Sequence, residues 1–241
     1  MRALLPATLI TVALAAFLTW AHGATPWEML DPRPHAARTV SDVIERYGEA
    51  ADARISSHFK AVGVAYPPQR IALVATKSEE LLAVWASNGG PLVHVHDYQI
   101  RAASGVLGPK LREGDRQVPE GIYELVAFNP NSSYHLSMKV NYPNAFDKKW
   151  AVAEGRTQPG GDIFIHGRAV SIGCLAMGDR AIEELFTLVY RVGRGKTQVV
   201  ITPTDPRKGK LQPPSDSAAW VTTLYGDIET TLQGIYPTWR E

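Results

Sequence analysis

G-D-I-F-I-H-G-R-A-V-S-I-G-C-L-A-M, Gly161 to Met177, carries the chain's one cysteine, Cys174, eight residues after His166 and three after Ser171. A thiol near an imidazole and a hydroxyl is the inventory of nucleophilic catalysis, in which the imidazole takes or balances the thiol proton and a third group orients the ring. Asp162 to His166 alternates, with Ile163 and Ile165 on one face and Asp162, Phe164 and His166 on the other, which predicts a strand ending at His166. Gly167 then releases the chain into a loop. Gly173 stands directly before the thiol, where it permits a positive φ and lets a substrate carbonyl approach the Gly173 and Cys174 amides. Asp179 is the expected N-cap of an amphipathic helix over Arg180 to Val192, with Ile182, Leu185, Phe186 and Val189 as its stripe. The thiol is therefore expected at a strand-loop-helix junction.

An unperturbed thiol, with a pKa of about 8.5, is only a few per cent ionised near neutrality. An imidazolium partner lowering it by about two units would be worth roughly 2.7 kcal/mol and would multiply the reactive form only tens-fold. Donors aimed at a developing oxyanion are worth about 10² to 10³ each, so the two amides are expected to matter at least as much.

Outward from this stretch, the pattern is of many short strands and few helices. Extended runs are predicted at Arg70 to Thr76, Leu81 to Ala86, Leu92 to Ile100, Gly121 to Phe128, Tyr134 to Val140, Asp162 to Ile165 and Gln198 to Thr202, with Asn88-Gly89-Gly90 as a hairpin turn. Apolar positions Val40, Val43, Ile44, Tyr47, Ala51, Ile55 and Phe59 predict a helix from Thr39 to Val62, and Val221, Leu224, Ile228, Leu232 and Ile235 predict another over Trp220 to Tyr236. The expected fold class is α+β, a β-rich sandwich or barrel-like domain with flanking N- and C-terminal helices. The expected division is a leader at 1–23, spacer and helix at 24–66, a catalytic domain at 67–203, and a linker with a terminal helix at 204–241.

The 241 residues carry 25 basic and 24 acidic side chains, a net charge of +1, which gives no basic excess for a nucleic-acid partner. One cysteine excludes an intramolecular disulfide framework. Arg2 precedes an apolar run from Ala3 to Trp20, and Ala21-His22-Gly23 supplies small residues for signal peptidase, so export with cleavage before Ala24 is expected. An uncleaved anchor is the alternative, and the only expected contact with a membrane. His94, His96 and Asp97, with His135, resemble a set of metal ligands, but the pattern lacks a convincing third and fourth donor and is read as a polar strand face.

The run I-H-G-x-x-x-S-x-G-C, with V-P-E-G-I-Y at Val118 to Tyr123 and Y-H-L-S-M-K-V-N-Y-P-N-A-F-D-K at Tyr134 to Lys148, resembles the L,D-transpeptidase catalytic-domain (YkuD-type) family, nearest to its short-spacing, YafK-like murein branch. The similarity extends over roughly Pro67 to Pro203. It implies a cysteine acyl-transferase that acts on peptidoglycan stem peptides through a Cys174 thioester, in cell-wall cross-linking or remodelling, with His166 as base, Ser171 and Gly173 completing the motif, and neither cofactor nor metal. The commoner family pattern has a second histidine two places before the cysteine and an arginine two places after it. Ile172 and Ala176 stand there, so only His166 can inherit the base role. Stem peptides carry carboxylates, which makes Arg168, and then Lys139, candidates to meet them. Asn141 to Asn144 is an aromatic, amide-rich loop, and Tyr142 and Asn144 are expected on the substrate wall. Water as acceptor would instead give an amidase or endopeptidase, for example one releasing a wall-linked envelope protein, and a non-catalytic wall-binding module is the third possibility.

Overall fold

The computed structural model describes residues 37–236, and among these four α-helices and eight strands form the fold. The expected leader and most of the spacer lie outside the described residues. In chain order the elements are α1 (Val40–Ala61), β1 (Arg70–Thr76), β2 (Leu81–Ser87), β3 (Val93–Gln99), β4 (Gly121–Asn129), β5 (Ser137–Val140), α2 (Ala145–Ala153), β6 (Phe164–His166), β7 (Leu175–Ala176), α3 (Asp179–Val192), β8 (Thr197–Thr202) and α4 (Trp220–Ile235). All eight strands join one mixed sheet, in the order β3-β2-β1-β8-β4-β5-β6-β7, curled into a half-barrel. β8 lies between β1, which it pairs in parallel, and β4, which it pairs antiparallel. The class is α+β, as expected, but the strands form a single sheet.

Alternation in β1 explains why the helices lie on both faces. Ile71, Leu73 and Ala75 point into one apolar layer, together with Val43, Ile55 and Phe59 of α1 and Ile182, Leu185 and Val189 of α3. Ala72 and Val74 point into a second layer with Trp220, Val221, Leu224 and Ile228 of α4. A strand buried on both sides reads as a nearly continuous apolar run, which is what R-I-A-L-V-A-T is. Each large aliphatic or aromatic side chain so buried contributes about 1.5–3 kcal/mol, and the two layers together drive the fold. The stretch expected as a linker is partly fixed by this packing: Leu211 is buried and its N–H donates to Glu229 of α4 at 2.7 Å.

α1 opens on a capping box, in which Thr39 Oγ1 accepts from the Asp42 amide and the Asp42 carboxylate accepts from the Thr39 amide. Its second half reaches both ends of α3, by Arg54 to Glu183 and Glu184 and by Asp52 to Arg191. V-P-E-G-I-Y places Glu120 in the interior with no exposed surface, where its carboxylate accepts from Lys77 Nζ at 2.9 Å, from the Gly108 amide at 2.7 Å and from Tyr225 Oη at 2.7 Å. Lys77 Nζ also donates to the Gly108 and Val118 carbonyls, so the buried ion pair has all its hydrogen-bonding groups engaged.

Two residues expected on the substrate wall have structural partners here. Tyr142, expected on a substrate wall, is 4% exposed, and its hydroxyl lies 3.1 and 2.9 Å from the Lys110 and Pro159 carbonyls, where it braces two loops. Asn144 is the N-cap of α2: its Oδ1 accepts from the Asp147 amide at 3.1 Å and its Nδ2 donates to the Ile122 carbonyl at 3.0 Å. Asn144→Ala is therefore expected to cost about 0.5–2 kcal/mol in urea denaturation while leaving the chemistry at Cys174 unchanged. An unchanged midpoint would contradict the cap.

Candidate functional site

β6 and β7 are three and two residues long, yet their register brings the motif together. β6 runs parallel to β7 with Ile165 beside Leu175 and His166 beside Ala176. Extending that register one step places Cys174 beside Phe164. Alternation then turns Phe164, His166 and Cys174 to one side of the sheet, while Ile165 and Leu175 enter the core. On its other side β6 pairs with β5, Ser137 opposite His166, which adds Ser137 to the same face. These side chains, with Asn129, Ser132, Ser133 and Tyr134, line a cavity of about 180 Å³.

Glycines allow the chain to reach this geometry. A Cβ on Gly167 would come within 2.6 Å of the Tyr134 carbonyl oxygen and 2.8 Å of Asp179 Oδ1, so the position after His166 accepts no side chain. Gly173 has φ +126°, in the region that favours glycine, and delivers Cys174 into β7.

His166 is 2% exposed. Its Nδ1 lies 2.6 Å from the Gly167 carbonyl oxygen, which can only accept, so Nδ1 carries the proton and Nε2 has the free lone pair. Burial holds the imidazole below the usual histidine range, with the Gly167 carbonyl pulling the other way. The Tyr134 ring covers it, centroids 4.6 Å apart at 33°. Cys174 is half-buried, and its Sγ lies 3.7 Å from the Asp162 carbonyl oxygen. Burial pushes the thiol up; the Phe164 amide and Lys110 oppose that, and Asp162 adds to it. Both shifts run against the charged forms: burial in the shared cavity opposes the thiolate and the imidazolium alike. Alkylation of Cys174 by iodoacetamide, followed by intact mass, is accordingly expected to rise through and beyond the ordinary thiol range as pH increases. A pre-formed ion pair would give a rate independent of pH below neutrality.

Ser171 sits on the loop. Its Oγ accepts from the Gly173 amide at 3.2 Å and the Cys174 amide at 2.9 Å and donates to the Cys174 carbonyl at 2.6 Å. In this geometry Ser171 closes the turn that carries the thiol. The same contacts show the Gly173 and Cys174 amides converging on one point, which Ser171 Oγ occupies. Asp179 is the first residue of α3 rather than its cap; Gly178 takes the cap position without a side-chain bond, and the Asp179 carboxylate accepts from the Arg168 amide at 2.7 Å.

The candidate cations are dispersed. Lys139 Nζ is 2.6 Å from Asp162 Oδ1, on the residue whose carbonyl faces the sulfur. The Arg168 side chain is 61% exposed, with Nε 4.0 Å from Asp179. Neither lines the cavity at Cys174. Ile172, where the family's second histidine would stand, is 72% exposed, whereas Ala176 is buried in a bridge to Ala102, a position with no room for a cation. His94 lies against Asp97 at 2.7 Å, His96 stacks on His58 with centroids 3.8 Å apart, and His135 meets Glu183 at 3.0 Å, so the expected ligand-like residues face three different partners. Sequence reading overlooked Tyr134 and Ser137 as cavity residues; the signal was Y-H-L-S, whose serine shares a strand face with Lys139.

A family model described as the YkuD L,D-transpeptidase catalytic domain matches residues 69–201. The putative L,D-transpeptidase YafK of Escherichia coli K12 is 36% identical over 132 residues, 53% of this chain and 51% of that protein, as is YafK of strain O157:H7. The chain thus spans about half the length of the curated relatives it matches. Among solved structures, the helical cell shape determining protein Pgp2 from Campylobacter jejuni is similar with a TM-score of 0.47 at 24% identity, covering 58% of this chain and 50% of that one. Bd1075 of Bdellovibrio bacteriovorus is similar with a TM-score of 0.41 at 20% identity, covering 70% and 57%.

Proposed function

Because this chain belongs to the YkuD L,D-transpeptidase catalytic-domain family, we propose that it is a cysteine acyl-transferase that acts on peptidoglycan stem peptides in the cell envelope, reached through the N-terminal leader that the sequence predicts. The observation that carries this reading is the cavity shared by the half-buried Cys174 sulfur and His166, whose Nε2 is left free by the Nδ1 bond to Gly167.

With its Nε2 lone pair free and burial disfavouring the charged forms of both groups, His166 acts as a general base. Sγ bonds to the peptide carbonyl carbon beside a diamino acid residue as its proton passes to Nε2, and the imidazolium returns that proton to the departing amine as the C–N bond breaks. A second amine then attacks the thioester, loses its proton to Nε2 and releases the thiol. Proton transfer of this kind is worth about 10²–10⁴ in rate. The Gly173 and Cys174 amides serve the oxyanion once Ser171 Oγ rotates away from them. Lys139 and Arg168 meet substrate carboxylates at the rim, outside the hydroxyl-lined cavity.

Purified protein incubated with defined disaccharide tetrapeptides, with and without an amine acceptor, tests the reading by product mass. Cross-linked or amine-exchanged stems are expected. Hydrolysed stems in both tubes would make water the acceptor and the protein an amidase or endopeptidase, and no covalent Cys174 adduct in either would leave only a wall-binding module.

A further inference from the structure

We propose that α1, which lies outside the residues matched by the family model, is a positioning element for the His166 imidazole, acting through His135 on the Tyr134 ring. It rests on the reading of Cys174 and His166 as nucleophile and base.

Tyr134 and His135 form the turn before β5, and His135 has φ +74°, a left-handed backbone uncommon for a residue other than glycine. That conformation is strained and persists only where the surroundings hold it. Three groups do so. Arg38, at the entry to α1, donates from Nη2 to the His135 carbonyl at 3.2 Å, and its own main chain is fixed by Asn131, which accepts from the Arg38 amide at 2.9 Å and donates to its carbonyl at 2.8 Å. Tyr47 of α1 meets the His135 ring edge to face, centroids 5.2 Å apart. Glu183 of α3 takes His135 Nε2 at 3.0 Å and is itself held by Arg54 of α1 at 3.2 Å. Pinned in this way, the turn sends His135 away from the cavity and Tyr134 into it.

Tyr134 is 39% exposed and His166 only 2%, so the tyrosine is the part of the cover that faces the cleft. Behind the imidazole stands the Gly167 contact with the Tyr134 carbonyl and Asp179; in front stands Cys174. The titratable groups around His166 are thus the Tyr134 phenol, the Cys174 thiol and, beyond Gly167, the Asp179 carboxylate. Releasing Tyr134 admits water to the ring and weakens the desolvation that holds its pKa below the usual range.

Arg38→Ala and His135→Asn in the full chain test this; asparagine tolerates the left-handed backbone but is too short to reach Glu183. Two quantities are read: the His166 imidazole titration by NMR, assigned with His166→Gln, and the rate of Cys174 acylation by a carbapenem followed by intact mass. Both variants are expected to titrate His166 at higher pH than the parent, to move the acid limb of acylation the same way, and to slow acylation roughly ten- to a hundred-fold. Arg38→Lys is expected to restore both, and Tyr134→Ala, which leaves α1 untouched, to reproduce the titration shift. Arg191→Ala, which cuts the other tie between α1 and α3, is expected to leave the His166 titration where it was. Folded Arg38→Ala and His135→Asn proteins that titrate like the parent would overturn the proposal, as would Tyr134→Ala without a shift or Arg191→Ala with the same one. The titration needs no peptidoglycan, so it distinguishes a failure here from a failure of the acyl-transfer reading.

Discussion

Cys174→Ala is expected to retain the fold and to lose every covalent step: no mass increment with a carbapenem or a stem peptide, and turnover lower by roughly 10⁴-fold or more. The size of the loss follows from there being no substitute. Cys174 is the chain's one thiol, and Ser171, the nearest hydroxyl in sequence, is engaged with the amides and carbonyl of its own loop. Alanine removes one sulfur from a half-buried position and leaves the Gly173 turn and the β7 pairing intact. Intact mass and circular dichroism of the variant separate chemistry from folding. Activity above about a hundredth of the parent would mean that the bond-forming atom lies elsewhere.

Glu120→Ala is expected to cost about 3–5 kcal/mol, a large share of the 5–15 kcal/mol that holds a domain together. The carboxylate has no exposed surface, and its removal strands the Lys77 ammonium, the Gly108 amide and the Tyr225 hydroxyl at once. Burial already pushes Lys77 down in spite of Glu120, so without the carboxylate the lysine must lose its proton or draw in water. Pairing Glu120→Leu with Lys77→Met is expected to recover most of the loss, because two apolar groups leave no uncompensated charge. Urea denaturation of the single and double variants measures both; a single-variant loss under about 1 kcal/mol would show that the pair is not the anchor described.

How much of this was legible in the sequence depended on whether local pattern or distant contact decided the outcome. A short apolar run marked β1 at its observed ends, and the three-and-four spacing marked α1 and α4 to within a residue or two. α2 was overlooked because only Ala151 of its nine residues is buried and its start follows a proline turn. The capping pair Asn144 and Asp147 was the available signal. β5 was expected from Tyr134 but begins at Ser137, since the left-handed His135 interrupts the extended run. Strand order was not legible, because it rests on β8 returning to pair with β1 across most of the chain. At the site, spacing put His166 and Cys174 close together and both line one cavity, whereas the bracing by Tyr142 and the capping by Asn144 were not legible, because an aromatic or amide residue in a proline turn looks the same in sequence whether it meets substrate or braces the fold. The upward push on the thiol was not legible either, since desolvation is a property of the assembled cavity.

Val93 to Gln99 ends the sheet, and its outer side has no neighbouring strand among the described residues. A free row of main-chain donors and acceptors is a template on which a second molecule could add itself. The register shift opposite Val84 and Trp85, together with His94, His96, Asp97 and Gln99 along that margin, twists and hydrates it, so each copy discourages its neighbours from stacking edge to edge.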